Sequence, residues 1–417
     1  MQLSGVTYRQ NDAETHNSPG YVYYEQGELD EVIAEYKEAL RINPDDAEVH
    51  HKLGLAYKAL GKLDETIEEL KEASRLNPDD AMVHNNLGVV YLNKGELEKA
   101  VLESNEALKL DIICAHHSHN VLGVAYNRQG KRDEAIAEFK EALKINPNDA
   151  MVHNNLGAVY ANHGELEEGI LEYKEALRLN PYFADAHSNL GHAYSAKGRV
   201  DDAEAEYKAA LRINPDHTNA HLGLGNIYGI QEKLNEAIVE YKEALRNNPN
   251  DAMVHNNLGA VYASRGDLEE GVLRYKEALR LNPNFADAHS NLGHAYSAKE
   301  KLNEAIAEYK EALRINPDHA NAHLGLGDAY SMQEKFDYAI VEYKEALRID
   351  PDLADAQLGL DSIYGVQGKH DDATAEFEGD SQIDLNLNDT KHNLKVTQLR
   401  KNNLVRGLRS LFGKKQE

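Results

Sequence analysis

The sequence predicts an all-α protein made of repeated helix pairs, because it shows a fixed period, regularly spaced prolines and apolar residues at helical spacing. The segment Ala252 to Pro283, AMVHNNLGAVYASRGDLEEGVLRYKEALRLNP, has a near copy at Ala150 to Pro181, AMVHNNLGAVYANHGELEEGILEYKEALRLNP. The copies are 102 residues apart, which is three times 34. Such a period indicates one repeat array rather than the two or three globular domains that 417 residues would otherwise suggest.

The prolines mark the same period. Proline lacks a backbone N–H and disfavours α geometry in the residue before it, so it separates helices. Nine of the ten prolines occupy the same position in the repeat, and neighbouring members of this set are 34 residues apart. The exception is one junction, where the spacing is 69 residues, one more than two periods. The extra residue lies in KLDIICAHHSHN, which is therefore the irregular point. The nine are Pro44, Pro78, Pro147, Pro181, Pro215, Pro249, Pro283, Pro317 and Pro351.

Two amphipathic helices are predicted within each unit. In the first helix Leu258 and Tyr262 share a face, and Gly266 offers the left-handed residue that commonly ends a helix. Pro283 ends the second helix, and the small residue Gly259 lets the two helices approach to about 8–10 Å. The apolar stripe of the second helix consists of Leu268, Val272, Tyr275, Leu279 and Leu281.

The unit resembles a tetratricopeptide repeat, and about eleven tandem 34-residue units follow this pattern. The resemblance implies a right-handed α-solenoid superhelix of antiparallel helix pairs, whose first helices line a concave groove that binds extended protein segments. The matching framework residues are Leu258, Gly259, Tyr262, Gly266, Ala278 and Pro283 in this unit, and Leu53, Gly54, Tyr57, Gly61, Ala73 and Pro78 in an early one.

We expect three segments along the chain: an N-terminal extension at 1–12, the array at 13–387 with degenerate first and last repeats, and a basic amphipathic tail at 388–417. Some units depart from the pattern. Gly169 and Gly271 replace the usual alanine of the second helix, at a cost of about 1 kcal/mol each in a helix interior. The turn glycine is replaced in three units, by Glu232, Glu300 and Glu334.

Charge and cysteine content restrict the class of protein. The net charge is −26, although residues 391–417 carry eight Lys or Arg against one Glu, so the rest is strongly acidic. An acidic body repels phosphate groups, and we therefore expect no nucleic-acid partner. The lone Cys114 excludes an internal disulfide framework, and residues 1–18 lack the apolar core of a secretion signal. These features favour a soluble cytoplasmic protein.

The two positions before each framework leucine carry the candidate binding residues. By the family's geometry these positions face the groove, and an asparagine amide there can both donate to and accept from a peptide backbone. The pattern resembles the asparagine ladder of O-linked N-acetylglucosamine transferases, and Leu222-Gly223 and Leu324-Gly325 interrupt it with an apolar patch or a packing contact. The predicted groove residues are Asn85, Asn86, Asn154, Asn155, Asn189, His192, Asn226, Asn256, Asn257, Asn291 and His294.

Histidine recurs three residues before each framework leucine. Equivalent residues on stacked repeats are about 10 Å apart, too far to share a metal ion, so we interpret this histidine stripe as packing residues. The members are His50, His84, His119, His153, His187, His221, His255, His289 and His323.

A weak metal candidate lies at the irregular junction, where sulfur and imidazole groups suited to zinc or copper lie close in sequence. A buried cysteine and packing histidines are the simpler interpretation, so we expect no metal or other cofactor. The residues concerned are Cys114, His116, His117 and His119.

The tail has a short basic amphipathic helix in LVRGLRSLFGKK. It is expected to cap the last repeat or to contact a protein, with an anchor on anionic membrane as the less favoured interpretation. Its apolar face consists of Leu404, Leu408, Leu411 and Phe412.

The sequence therefore predicts a non-enzymatic scaffold or adaptor, since it contains neither a GxxxxGK[ST] phosphate loop nor an HExxH zinc motif. The duplicated three-unit block further predicts two similar surfaces and bivalent binding. The alternatives are a structural protein that self-assembles into homo-oligomers and a regulatory subunit tethered to a membrane complex by its tail.

Overall fold

The computed structural model describes residues 29–111 and 115–367, and every regular element in those ranges is an α-helix. The all-α prediction is thus confirmed. The chain divides into two compact units, at Ala193 and Tyr194.

The helices are 13 or 14 residues long. In chain order they are α1 (Leu29–Ile42), α2 (Ala47–Ala59), α3 (Leu63–Leu76), α4 (Ala81–Lys94), α5 (Leu97–Leu110), α6 (Ala115–Arg128), α7 (Arg132–Ile145), α8 (Ala150–Asn162), α9 (Leu166–Leu179), α10 (Ala184–Ala196), α11 (Val200–Ile213), α12 (Thr218–Ile230), α13 (Leu234–Asn247), α14 (Ala252–Arg265), α15 (Leu268–Leu281), α16 (Ala286–Ala298), α17 (Leu302–Ile315), α18 (Ala320–Met332), α19 (Phe336–Ile349) and α20 (Ala354–Gln367).

The first helix of several pairs begins at a side-chain cap. Asp251 accepts hydrogen bonds from the backbone N–H groups of Met253 (3.0 Å) and Val254 (3.1 Å), which would otherwise be unpaired at the helix start. In α12 the ring nitrogen Nδ1 of His217 accepts from the backbone N–H of Ala220 instead. A cap two residues after the proline thus restarts the helix in these pairs.

The turn inside each pair needs a left-handed residue, as the sequence predicts. Gly266 has φ of 97°, and Glu300, which replaces the glycine in its own unit, has φ of 60°. Glu232 and Glu334 adopt the same conformation, with φ of 58° and 59°. These three glutamates occupy a region that L residues enter at a steric cost.

A framework glycine allows the two helices of a pair to pack closely. A Cβ atom on Gly259 would lie 2.9 Å from the ring of Tyr275, which is 3% exposed. Leu258, beside it, is fully buried. Gly259 thus leaves the space into which the ring of Tyr275 packs.

Close packing of the two helices explains Gly169 and Gly271, although glycine lowers the stability of a helix interior. A Cβ on Gly169 would lie 3.0 Å from the carbonyl oxygen of Gly157, and one on Gly271 would lie 3.1 Å from that of Gly259. Real Cβ contacts are seldom this short. In these two pairs the second helix therefore lies against the backbone of the first.

Each unit has its apolar core distributed along the repeats. In the first unit one cluster joins α1 and α2 around Val32 and Tyr36, and another joins α7 and α8 around Phe139. In the second unit a cluster runs from Ala305 to Tyr364 through α17 to α20. Each helix pair thus buries its apolar face against its neighbours in sequence, as repeat architectures require.

Several predicted features lie outside the described residues. They are the extension at 1–12, the start of the first repeat, Cys114, and the tail with Leu404, Leu408, Leu411 and Phe412. None of the helices in the described part of the chain is long and apolar enough to cross a membrane.

Candidate functional site

The predicted ladder residues occupy two positions on the first helix of each pair. We call the residue two before the framework leucine the −2 position and the residue just before it the −1 position. Asn154 and Asn155 hold these positions in α8, and Asn256 and Asn257 hold them in α14. The −2 asparagines are buried, with Asn154 7% and Asn256 1% exposed.

Amides at the −1 position hydrogen-bond to the −2 position of the preceding repeat. The Nδ2 of Asn189 donates to Oδ1 of Asn154 at 3.0 Å, and that of Asn291 donates to Oδ1 of Asn256 at 3.0 Å. Asn155 makes the same bond to Asn120 at 3.1 Å. The ladder is therefore a set of cross-repeat hydrogen bonds, each joining residues 35 apart in sequence.

The earliest described bond of this kind uses a histidine as acceptor. The Nδ2 of Asn86 donates to Nε2 of His51 at 3.0 Å. Burial lowers the pKa of His51, which keeps the ring neutral and its nitrogen able to accept.

These bonds fix which way each amide faces and leave part of its capacity unused. An amide has two donor hydrogens and an oxygen with two acceptor sites, and the cross-repeat bond uses one hydrogen of Asn189. Oδ1 of Asn189 remains an acceptor, and Nδ2 of Asn154 remains a donor. One donor and one acceptor thus remain on this pair of amides, which are the two kinds of group that a peptide bond needs.

The ladder is interrupted at α12 and α18, and tyrosine packing explains the interruption. A Cβ on Gly325 would lie 2.4 Å from Cζ of Tyr309, and one on Gly223 would lie 2.3 Å from Cζ of Tyr207. An asparagine therefore cannot fit at either −1 position without moving the ring. Leu324, at the −2 position, is 8% exposed and belongs to the core.

Asn257 shows the effect of the interruption on the next repeat. The −2 position behind it is Leu222, which offers no oxygen, so Nδ2 of Asn257 donates to Oδ1 of Asn226 at 3.3 Å. The hydroxyl of Tyr241 donates to the same oxygen at 2.7 Å. Asn226 thus takes over the acceptor role one turn further along α12.

The other predicted groove residues lie in different surroundings. Asn85 accepts a hydrogen bond from the hydroxyl of Ser118 at 3.3 Å. Nδ1 of His294 hydrogen-bonds to the hydroxyl of Tyr309 at 2.9 Å. Burial lowers the pKa of His294 to about 4, so its ring is neutral at pH 7. His192, its counterpart in the first block, is exposed.

The histidines at the irregular junction pair with carboxylates. Nε2 of His116 lies 2.6 Å from Oδ2 of Asp149, and Nδ1 of His119 lies 2.6 Å from Oε2 of Glu138. His117 is exposed, with its ring centroid 5.1 Å from that of His116. Across residues 29–111 and 115–367, no three His, Cys, Asp or Glu side chains lie close enough together to hold a metal ion.

The histidine stripe makes ion pairs in addition to packing. Nδ1 of His153 lies 2.6 Å from Oε2 of Glu172, and Nε2 lies 3.1 Å from the carbonyl oxygen of Pro147. Because both partners are acceptors, the ring donates through both nitrogens when it is protonated. Accordingly the hydrogen bond to Glu172 raises the pKa of His153 against the opposing effect of burial.

Six further stripe members pair with the glutamate 19 residues later at 2.6 or 2.7 Å. The pairs are His50–Glu69, His84–Glu103, His119–Glu138, His221–Glu240, His289–Glu308 and His323–Glu342.

Sequence reasoning missed two parts of this arrangement. It did not select His51 and Asn120 as ladder members, although both occupy the −2 position. It also did not identify the glutamates of the second helices as partners of the histidines, although a fixed offset of 19 residues links the two. Both signals are periodic and can be read from the aligned repeats.

Comparison with protein families decides the assignment of the repeats. A family described as "TPR repeat" matches residues 20–61, 56–95, 123–164, 162–198, 191–231, 225–264, 261–300 and 293–334. Two families described as "Tetratricopeptide repeat" match residues 320–353 and 83–111. The chain belongs to the tetratricopeptide repeat family. No curated protein matches this TPR chain.

Solved structures similar to this TPR chain include other TPR proteins. YrrB, titled a TPR protein with an unusual peptide-binding site, is 28% identical, with 44% of this chain and 95% of that chain covered and a TM-score of 0.38. A tetratricopeptide repeat protein from Parabacteroides merdae is 18% identical, covering 60% and 98%, with a TM-score of 0.48. The APC/C hetero-tetramer Cut9-Hcn1 is 15% identical, covering 84% and 96%, with a TM-score of 0.48.

Proposed function

We propose that this protein is a non-catalytic scaffold that binds an extended protein segment along the first helices of its repeats. The observation that carries the proposal is the set of cross-repeat bonds such as Asn189 to Asn154 and Asn291 to Asn256. The bond from Asn189 leaves an acceptor on Asn189 and a donor hydrogen on Asn154, whereas in the second block Nδ2 of Asn256 also donates to Oδ1 of Asn257 at 3.3 Å. A peptide backbone supplies the complementary groups at regular intervals, largely independent of its side chains.

The proposal extends to bivalent binding. The blocks that begin at Ala150 and Ala252 repeat the same order of −2 and −1 residues: two asparagines, then serine and asparagine, then leucine and glycine. A partner with two copies of one segment would bind both blocks, and the second contact would form at a raised effective concentration. A single-copy partner would gain nothing from the second block.

A peptide selected from a random library against the full-length chain provides the test. Changing Asn154, Asn155, Asn256 and Asn257 to alanine is expected to weaken its affinity at least tenfold, because the backbone contacts lose their amides. Fluorescence anisotropy measures the dissociation constant. Asn162→Ala with Asn250→Ala is the matched control, since both asparagines are exposed and lie outside the ladder.

A second variant distinguishes a single binding surface from two similar ones. Asn154→Ala with Asn155→Ala alone should halve the stoichiometry for the single peptide and abolish the affinity gain of a tandem peptide. Unchanged affinity in the fourfold variant would remove the basis of the proposal.

For the tail at 388–417 we propose a cap on the array or a protein contact rather than a membrane anchor. Full-length protein and a chain ending at Asp389 should then sediment equally with anionic phosphatidylserine vesicles. Greater sedimentation of the full-length chain would assign the tail to the membrane.

A further inference from the structure

One member of the histidine stripe lacks its glutamate. In eight of the nine cases the residue 19 positions after the histidine is Glu, but His255 is followed at that offset by Arg274. The counterpart of Arg274 in the first block, 102 residues earlier, is Glu172. The two blocks therefore differ by a charge reversal at one structurally equivalent point.

The first block shows what normally occupies this point. The carboxylate of Glu172 lies 2.6 Å from Nδ1 of His153, and its side chain is 26% exposed. The histidine side chain is 13% exposed. A carboxylate here therefore touches the ring on one side and remains open to solvent on the other.

In the second block each of the two equivalent side chains has a buried nitrogen without a partner. Among the residues that the structure describes, Nδ1 of His255 and Nε of Arg274 are buried and have no hydrogen-bond partner. His255 is 5% exposed. A buried polar group without a partner has lost water and gained nothing in return. His255 and Arg274 hold the positions of the bonded pair His153 and Glu172, so two such groups here indicate a ligand that is not part of α14 or α15.

The other ring nitrogen determines what that ligand must be. Nε2 of His255 lies 3.0 Å from the carbonyl oxygen of Pro249 and must donate to it. In the neutral ring Nδ1 then has no hydrogen, so it can donate only when the ring is protonated. An anion between the two would favour protonation, after which Nδ1–H and the Nε–H of Arg274 would both donate to it.

The charged groups around His255 do not already supply that anion. Glu277, a carboxylate on α15, forms a 2.7 Å ion pair with Arg280. The pKa of Glu277 is lowered mainly by the hydrogen bond from Arg280, and Glu277 does not bond to Nδ1 of His255. Asp251 is used as the cap of α14.

We propose that His255 and Arg274 form a binding site for a carboxylate supplied by another molecule, which takes the position that Glu172 holds in the first block. The ligand class is a carboxylate, from an acidic side chain of a polypeptide or from a free small acid. Binding takes up one proton at Nδ1 of His255. The site is separate from the asparagine ladder and does not depend on peptide binding there.

Nitrogen-15 NMR of the full-length protein with labelled histidine tests the site directly, with His255→Gln used to assign the signal. Sodium acetate, an acetylated and amidated tetraglutamate peptide, and sodium chloride at equal ionic strength are titrated at pH 6. The carboxylates should move the Nδ1 signal of His255 from the unprotonated to the protonated position, and chloride should not.

Two charge reversals provide matched variants. Arg274→Glu restores the sequence of the first block, and His255 should then be protonated without added ligand and should not respond to acetate. Glu172→Arg should create a second responding histidine, His153, and double the stoichiometry. Circular dichroism verifies that both variants are folded.

The titrations also distinguish the source of the carboxylate. The concentrations of peptide and of acetate that saturate the site are compared per carboxylate group. A peptide value below a tenth of the acetate value supports a polypeptide ligand, and equal values support a small acid. A His255 signal unaffected by both, or an Arg274→Glu variant that responds like the wild type, would overturn the proposal.

Discussion

At the scale of single residues, the protonated ring of His221 joins two segments of the chain. Its Nδ1 lies 2.6 Å from Oε2 of Glu240 on α13, and its Nε2 lies 2.8 Å from the carbonyl oxygen of Pro215 in the preceding turn. The hydrogen bond to Glu240 raises the pKa of His221 in spite of burial. The stabilisation is therefore complete below the unfolded pKa of about 6.5 and is lost as the pH rises through the higher folded pKa.

Replacing the glutamate should remove this pH-dependent stabilisation. Glu240→Gln is expected to lower the free energy of unfolding by about 1 kcal/mol at pH 5.5, a modest value because the pair is partly screened by solvent. The loss should shrink toward zero at pH 8.5, and urea denaturation at both values measures it. Glu236→Gln, at an exposed position of the same helix, should change stability by a few tenths of a kcal/mol at both pH values. Equal losses at both values for Glu240→Gln would contradict the ion-pair argument.

The turn between the helices of a pair provides a test at the element scale, because the duplicated blocks differ there. Gly198 has φ of 70°, and Glu300, 102 residues later, has φ of 60°. Glu300→Gly should stabilise the protein by about 0.5–1 kcal/mol, and Gly198→Glu should destabilise it by a similar amount, because only glycine adopts this conformation without steric cost. Thermal denaturation followed by circular dichroism measures both. Changes of the same sign in the two variants would exclude the backbone explanation.

Packing between neighbouring helix pairs can be tested at the interruption of the ladder. Gly325→Ala should destabilise the protein by about 1–3 kcal/mol, because the added methyl group would overlap the ring of Tyr309. Gly365→Ala is the control, since it lies in α20 with no atom within 4 Å of the added Cβ. That change should stabilise the helix by up to about 1 kcal/mol. A neutral Gly325→Ala variant would mean that Tyr309 moves aside easily, and the −1 position would then accept an asparagine.

At the scale of the whole molecule, repetition should allow a complete three-repeat block to be removed without disturbing the remaining repeats. Removing residues 150–251 places Asp149 directly before Ala252 and recreates the native order Asn-Asp-Ala-Met-Val-His. Asp149 caps its helix with the same bonds that Asp251 makes, so the new junction is chemically equivalent. The shortened chain should fold, and its calorimetric enthalpy of unfolding should fall by about 70 kcal/mol, from about 0.7 kcal/mol per residue removed. An unfolded product would show that the two blocks are not interchangeable.

The helix pairs were predictable from the sequence because their causes are local. Apolar spacing, the turn at Gly266 and the break at Pro283 act within a few residues, and repetition makes each signal visible many times. The candidate asparagines were also identified by position. What one unit does not reveal is their pairing, because Asn189 and Asn154 meet only when two repeats are stacked.

The partners of the histidine stripe were missed for a similar reason. His153 and Glu172 lie on different helices of one pair, so neither helical periodicity nor a local motif brings them together. The interruptions at Gly223 and Gly325 were visible as changes of residue type. Their cause, a tyrosine ring from the preceding pair, depends on how far that side chain reaches.

Unfolding of this chain near neutral pH should release protons to the solution. Histidines such as His153 and His221 bind a proton more tightly in the folded state than in the unfolded state, since their pKa values are raised by the carboxylates. The released protons are taken up by the buffer, and the heat of that uptake adds to the heat of unfolding. Calorimetric enthalpies at pH 7 should therefore differ between phosphate and Tris, and the difference divided by the difference in buffer ionisation enthalpy gives the number of protons that the fold retains.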